Sequence, residues 1–405
     1  MNDLIKEIKG GICAPLGYEA AGAVSGVKSA QGPSKGRDLA ILRSIVPAAC
    51  AGVFTTNVVK SAHVPLDQKR LANDRAQAIV VNSGNANALT GKQGMKDALA
   101  ATGLAAQLLG LKPDDVLICS TGIVGRMMPM AKILRGIRAA AKQLSPKGAN
   151  DAALAIMTTD KRPKQVAVEM EIDGKPVRIG GMAKGAGMIS PCMATMLVFI
   201  TTDADLPAKT LQTCLKRAIR DSFNMITIDG DMSPSDTVLL MANGQAKVTP
   251  KGAGLRLFQE GLNLVAGRLA RMIVEDGEGA TKVISVTVAG APSRDRAARV
   301  ARAIANSSLV KCALHAGDPN WGRILTSSGA AGVQFDQDNV DLHLGKVLVF
   351  KNGGPTKYSA ARAHKELSGK EVEIRLNLNS GAACATILTC DLSEEYVNFN
   401  AEYHT

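Results

Sequence analysis

Apolar runs of strand length alternate along this chain with stretches where apolar residues recur every three or four positions, and turns rich in Gly and Asn separate them. In the first part, Leu39–Ile45, Ala49–Phe54, Ala78–Val81 and Val116–Ser120 read as strands, and helices are expected over 93–109 and 129–144. Gln165–Ile172 and Pro176–Ile179 flank Asp173-Gly174, a hairpin signal. After the apolar run Leu197–Ile200, the stripe Leu211, Cys214, Leu215, Ala218 and Ile219 predicts a helix that starts at Asp205 or Pro207 and ends near 222. Asp236–Met241 reads as a strand, and 253–274 as a long amphipathic helix carrying Leu255, Phe258, Leu262, Val265, Leu269 and Ile273. From 281 the pattern begins again. Strands are expected at 282–289, 311–316, 339–350, 371–378 and 383–390, and helices at 292–306, near 320–329 and at 358–368. No repeat and no low-complexity linker interrupts the chain, which predicts a larger and a smaller α/β unit packed together.

Composition changes this picture little. A chain of 405 residues has room for two or three domains. Aromatic residues make up only 3%, so the core must be built from Ala, Val, Ile, Leu and Met. No apolar run approaches 18 residues, and the first 20 residues lack the apolar region of a secretory signal, so no membrane span is expected. Eight scattered cysteines without CxxC, and five histidines without zinc-ligand spacing, fit free thiols in a reducing cytoplasm.

The net charge of +12 raises the possibility of a nucleic-acid partner. The basic residues are dispersed, however, and the densest group, from Ser293 to Arg302, has Ala297, Val300, Ala301 and Ile304 on one helical side and arginines on the other. That is a solvated helix face, and the few aromatics leave little for base stacking. A positive field that draws in acidic metabolites is compatible with the same charge.

Candidate chemistry concentrates in residues 184–204, KGAGMISPCMATMLVFITTDA. A lysine and three glycines (Gly181, Gly185, Gly187) lead through Pro191 to Thr195, at the junction of a Gly-rich bend and an apolar strand. A hydroxyl there reads either as a strand-opening residue or as a nucleophile. The second reading needs a base, and a Thr that becomes N-terminal can use its own α-amine, whose pKa is about 8. That requires the Ala194–Thr195 bond to be cut, by attack of the hydroxyl on the preceding carbonyl and release of the acyl group to water.

The segment resembles the signature of the ornithine acetyltransferase (glutamate N-acetyltransferase) family, KGxGMIxPxMATML, and similar blocks recur from about residue 10 to Thr405. The resemblance implies an α/β (α+β) layered sandwich of the self-processing N-terminal-nucleophile type with a smaller C-terminal α/β domain. Residues 1–280 would form the catalytic sandwich, cut between 194 and 195 into chains 1–194 and 195–405. Residues 281–405 would form the second domain, with its tail returning to the active site. Acetyl would pass from N-acetylornithine to glutamate through acetyl-Thr195, by ping-pong kinetics and with no metal or organic cofactor. Whether acetyl-CoA also serves as donor stays open. A self-processing amidase or aminopeptidase is the alternative with the same nucleophile. The family also implies a cytoplasmic heterotetramer of two processed pairs, with neither nucleic acid nor membrane as partner.

Residue by residue, the resemblance assigns the oxyanion hole to Thr121, through its hydroxyl, and to Gly122, through its amide. It assigns substrate contacts to Thr158, Lys184, Thr195, Glu278, Asn400 and Thr405, with Thr159 as a second candidate beside Thr158. Lys184 would pair with a substrate carboxylate, and Glu278 would face the ornithine ammonium or handle protons near the amine. Composition alone would call the tail YVNFNAEYHT frayed. The blocks 54–64, 80–91, 229–244 and 317–324 read as packing and turn elements near the site. Cys192 replaces a usual polar residue and Met225 a usual basic one, while Met232, Pro234 and Ser235 depart from a block normally richer in Thr and Asn.

Overall fold

The computed structural model describes residues 4–28, 36–190 and 196–402. Nine strands form one sheet: β1 (Ile5–Glu7), β2 (Tyr18–Ala23), β3 (Leu39–Phe54), β4 (Arg75–Asn85), β5 (Val116–Ile123), β6 (Lys164–Ile172), β7 (Lys175–Lys184), β8 (Leu197–Thr202) and β9 (Thr237–Ala242). Their order is β1-β6-β7-β8-β9-β3-β4-β5, with β2 paired to β3.

This sheet doubles back on itself, and β3 makes the corner. Its first part, Leu39–Arg43, pairs with β2 and β4, and its second part, Ala49–Phe54, pairs with β9. The β3–β4 register breaks between Arg43 and Ala48, across Pro47, which has no amide hydrogen to give a ladder. The period-2 alternation of side chains then builds four layers. Ile79, Val81 and Leu117 from one leaf meet Leu197, Phe199, Leu239 and Met241 from the other in a shared inner core. On the outer face of the first leaf, Ala78, Val80 and Ile118 pack on helices Gly91–Leu109 and Met130–Ala141. On the outer face of the second, Val198, Ile200 and Leu240 pack on helices Ala208–Arg220 and Gly252–Glu275.

The expected layered α/β sandwich is therefore present. The Asp173-Gly174 hairpin is also present, with both residues at positive φ (51° and 70°), joining β6 to β7.

A second sheet is built from β10 (Val283–Ala291), β11 (Asp341–Leu344), β12 (Val347–Lys351), β13 (Gly354–Pro355), β14 (Glu371–Asn377) and β15 (Ala383–Cys390), in the order β13-β12-β11-β14-β10-β15. It has its own core, in which Ala297, Val300, Ala301 and Ile304 of helix Arg294–Asn306 are buried as their spacing predicts.

Several elements differ from the sequence reading. Residues 311–316 lie in and just after a helix, Ser308–His315, and form no strand. Ser307 caps it by accepting the Val310 N–H, and Val310, Ala313 and Leu314 are buried at helical spacing. The two expected strands at 39–45 and 49–54 are one strand, β3. Ala149–Ile156 is an additional helix, wedged into the inner core. The tail forms helix Glu394–Glu402. No described helix is long and apolar enough to cross a membrane, and none of the seven described cysteines is in a disulfide.

Candidate active site

A cavity opens at the sandwich edge where β5 and β7 end and β8 and β9 begin. Thr121, Gly122, Thr158, Thr159, Lys184, Glu278 and Asn400 all line it. These residues come from five separate parts of the chain, and the fold brings them together. Thr195 and Ala194, with Cys192, lie outside the described residues, as does Thr405.

Thr121 and Gly122 sit where β5 runs beside β4 in parallel register, Ser83 opposite Thr121 and Gly84 opposite Gly122. Gly122 has φ 127°, and a Cβ added to it would lie 2.4 Å from the Gly84 carbonyl carbon, so only glycine fits.

Lys184 closes β7, opposite Leu197 of β8, and its Nζ stands 3.5 Å from Thr121 Oγ1. Burial pulls its ammonium below the usual lysine range, and the like charge of Lys164 adds to this, while Asp160, Glu278 and Asp236 act the other way.

A buried ion cluster joins the two loops that carry Thr158 and Glu278. Lys164 Nζ donates to Asp160 Oδ1 at 2.6 Å and to Asp276 Oδ2 at 2.5 Å, and all three side chains are almost fully enclosed. Asp160 also accepts the amides of Gly185 (2.7 Å) and Thr158 (2.9 Å). Burial pushes the Asp160 carboxyl up, but Lys164, Lys184 and the Gly185 N–H outweigh burial and hold it down at about 2.

The tail helix supplies the opposite wall. Tyr396 and Asn400, four residues apart on one helical side, both face the cavity. Asn400 Nδ2 donates to Glu278 Oε2 at 3.0 Å, and Tyr396 Oη donates to Asp229 Oδ2 at 3.3 Å. Gly279, at φ 66°, lets the Glu278 turn approach the helix; a Cβ there would lie 2.5 Å from the Tyr396 nitrogen. The tail is thus part of the cavity wall, contrary to what its composition suggests.

Asp229 fixes the bend before residue 191. Its two carboxylate oxygens accept the amides of Met188 (2.6 Å) and Ile189 (2.8 Å), and Met188 is held at φ 56°, a strained value for a side-chain-bearing residue. Burial raises the Asp229 carboxyl, against the pull of these amides.

Asp160, Lys164, Asp229 and Tyr396 were not singled out in the sequence. Lys164 and Asp276 are separated by 112 positions, which leaves no local signal. The block 229–244 does border the cavity, through Asp229, Asp231, Ser233, Pro234 and Ser235. The block 317–324 does not. Trp321 packs on Phe350 in the second core, with ring centroids 5.3 Å apart, because that indole completes the apolar face of the other sheet.

A narrow polar cavity with a buried ammonium on one wall and a carboxylate on another suits a small molecule bearing both charges. A model of the ArgJ family matches residues 19–405. An arginine biosynthesis bifunctional protein ArgJ from Symbiobacterium thermophilum is 48% identical over 401 residues, spanning 98% of this chain and 99% of that one. A protein of the same name from Synechocystis is 44% identical over 411 residues, covering 98% of each. A crystal structure of an ornithine acetyltransferase from Mycobacterium tuberculosis, complexed with ornithine, matches 48% of this chain and 100% of that chain at 38% identity, with a TM-score of 0.43. The chain belongs to the ArgJ family.

Proposed function

We propose that this protein is a glutamate N-acetyltransferase of arginine biosynthesis that carries acetyl from N2-acetyl-L-ornithine to L-glutamate on Thr195. The observation that carries this reading is the convergence of Thr121, Gly122, Thr158, Lys184, Glu278 and Asn400 on one cavity, at the point where β8 enters the sheet.

The chain would first be cut between Ala194 and Thr195. Thr195 Oγ then attacks the acetyl carbonyl, its proton passing to the Thr195 α-amine. The Thr121 hydroxyl and the Gly122 amide receive the oxyanion; loss of one such donor typically costs about 2.7–4 kcal/mol in the transition state. Ornithine leaves with the proton held by the amine. Glutamate attacks the acetyl ester and departs as N-acetylglutamate. Lys184 would pair with a substrate carboxylate, and Glu278, whose carboxylate accepts from Asn400, with an ammonium. Thr158 and Thr405 complete the substrate contacts.

Residues 1–280 form the catalytic unit in this reading and 281–405 the second. The working form is two processed pairs in the cytoplasm. Acetyl-CoA is a second donor to be assayed.

Intact-mass spectrometry beside a Thr195→Ala control tests the proposal. Two fragments, the second beginning at Thr195 and absent from the control, together with parallel double-reciprocal lines for acetylornithine and glutamate, are expected. An uncut chain that still transfers acetyl would exclude the α-amine as base. Rapid hydrolysis of acetylornithine without glutamate would point to an amidase.

A further inference from the structure

Lys184 closes β7 with only 3% of its surface exposed, and its Nζ donates to Thr121 Oγ1 at 3.5 Å. An ammonium carries three protons and no lone pair, so it can only donate. Thr121 Oγ1 is then the acceptor, and the proton of its own hydroxyl is left for a group in the cavity that both residues line. A neutral amine at the same place could take that proton instead. Two properties of the cavity, its cation and the donor at Thr121, thus depend on Lys184 keeping a charge that burial opposes.

No described carboxylate pairs directly with Lys184. Asp160 acts on it from one peptide away. Its Oδ1 accepts the Gly185 N–H at 2.7 Å, on the nitrogen bonded to the Lys184 carbonyl carbon, and its Oδ2 accepts the Thr158 N–H at 2.9 Å. One carboxylate thereby ties the end of β7 to the loop of another cavity residue. Its side chain is fully enclosed and held at about 2, so it is ionised throughout the neutral range. A fixed negative charge in an enclosed site acts on a neighbouring ammonium with little screening.

The other charges around Lys184 divide. Lys164, which donates to Asp160 Oδ1, opposes its charge, while Glu278 and Asp236 favour it. Lys28, which follows β2 and donates to the Arg37 carbonyl, is a further cation whose field meets both Lys184 and Asp160. Asp276 shares Lys164 with Asp160 but accepts the Lys161 amide, and makes no described hydrogen bond to β7. Of the two carboxylates on Lys164, Asp160 alone is bonded to the chain beside Lys184.

We propose that Asp160 is the positioning residue of the cavity's cation: bonded to the Gly185 amide, its buried carboxylate holds Lys184 as an ammonium. The Thr121 hydroxyl is thereby kept as a donor to the cavity. The use of these groups rests on the functional reading above, in which Lys184 meets a substrate carboxylate and Thr121 an oxyanion. Asparagine at 160 would keep an oxygen for one of the amides but no charge. Burial and the like charge of Lys164 would then act on Lys184 with less opposition, and its proton would be lost at lower pH.

The test is competitive labelling of Lys184 with acetic anhydride across pH, read on its peptide by mass spectrometry, in wild type, Asp160→Asn, Asp160→Glu and Asp276→Asn. In Asp160→Asn the titration midpoint of Lys184 should fall by about one pH unit, which is about tenfold more neutral amine at a given pH. Asp276→Asn, which also strips a partner from Lys164, should move it by less than half as much. Asp160→Glu restores the charge and should restore the midpoint. A merely structural residue would not order the variants in this way. Should Asp160→Asn fail to fold, the other two variants decide. An unmoved midpoint in Asp160→Asn, an equal fall in Asp276→Asn, or a fall in Asp160→Glu as large as loss of the charge should give, would overturn the proposal. In active enzyme the basic limb of kcat/KM should fall with the midpoint. The labelling needs no activity, so the two readings fail separately. Absence of acetyl transfer in wild type, or a basic limb that stays while the midpoint falls, would count against the functional reading of Lys184 and leave the role of Asp160 standing.

Discussion

The chain enters and leaves residues 191–195 under opposite kinds of restraint. On the way in, Gly185–Ser190 has no ladder partner and is pinned at points. Asp160 takes the Gly185 amide, Asp229 takes those of Met188 and Ile189, and the Glu278 amide donates to the Ala186 carbonyl. On the way out, β8 is paired along its whole length with β7 on one side and β9 on the other, and its six residues are all buried. Side-chain carboxylates shape the first limb; backbone ladder and apolar burial hold the second. The first can carry strain, such as Met188 at positive φ, because charge-assisted bonds outweigh it; the second calls on a carboxylate only at its entry, where Asp236 accepts the Met196 amide.

The sharpest way to break this contrast is Lys164→Ala. It removes the cation from between Asp160 and Asp276 and should cost about 3–5 kcal/mol in denaturant unfolding. An unchanged midpoint would mean the cluster does not hold the entering limb. Ile200→Ala addresses the leaving limb. Ile200 is 1% exposed in the outer core, and truncation should cost about 3 kcal/mol, by a similar amount at pH 4 and at pH 7.

Acid distinguishes the two limbs next. The folded Asp160 carboxyl, at about 2, lies below the unfolded reference of 3.8. A depressed carboxyl stabilises the fold above its unfolded value, and that stability is lost as pH falls through the folded one. About 2 kcal/mol should disappear between pH 4 and pH 2, with the loss flattened in Asp160→Asn. The smallest effect is expected from Asp229→Asn. Only one oxygen remains for two amides, a loss of about 1 kcal/mol that should appear as roughly fivefold faster hydrogen exchange at Met188 and Ile189. Exchange of the β8 amides should not change.

What could be read from the sequence follows the same divide. Helices with a clear apolar stripe, such as Gly252–Glu275, and the Asp173-Gly174 hairpin depend on neighbours a few residues away, and their spacing announced them. Residues 311–316 misled because Val310, Ala313 and Leu314 form too short an apolar stretch to separate a strand from a buried helix turn. The joining of 39–45 to 49–54 could not be seen because Pro47 looks like a break and serves as a corner. At the site, the residues assigned from the family signature converge on the cavity where they are described. The carboxylates Asp160, Asp229 and Asp236 carried no such mark, because each also takes an amide 25 to 41 positions away, which no local pattern reveals.

The strand order has a further consequence for how the molecule could be assembled. β8 and β9 lie between β7 and β3, so a break at 194/195 would leave the later polypeptide threaded between two strands of the earlier one. Neither piece would own a complete hydrogen-bonded surface. A gene divided at that point and expressed from two promoters should therefore yield partners whose shared sheet forms only in each other's company, and that cannot be exchanged between molecules without dismantling the centre of the sandwich.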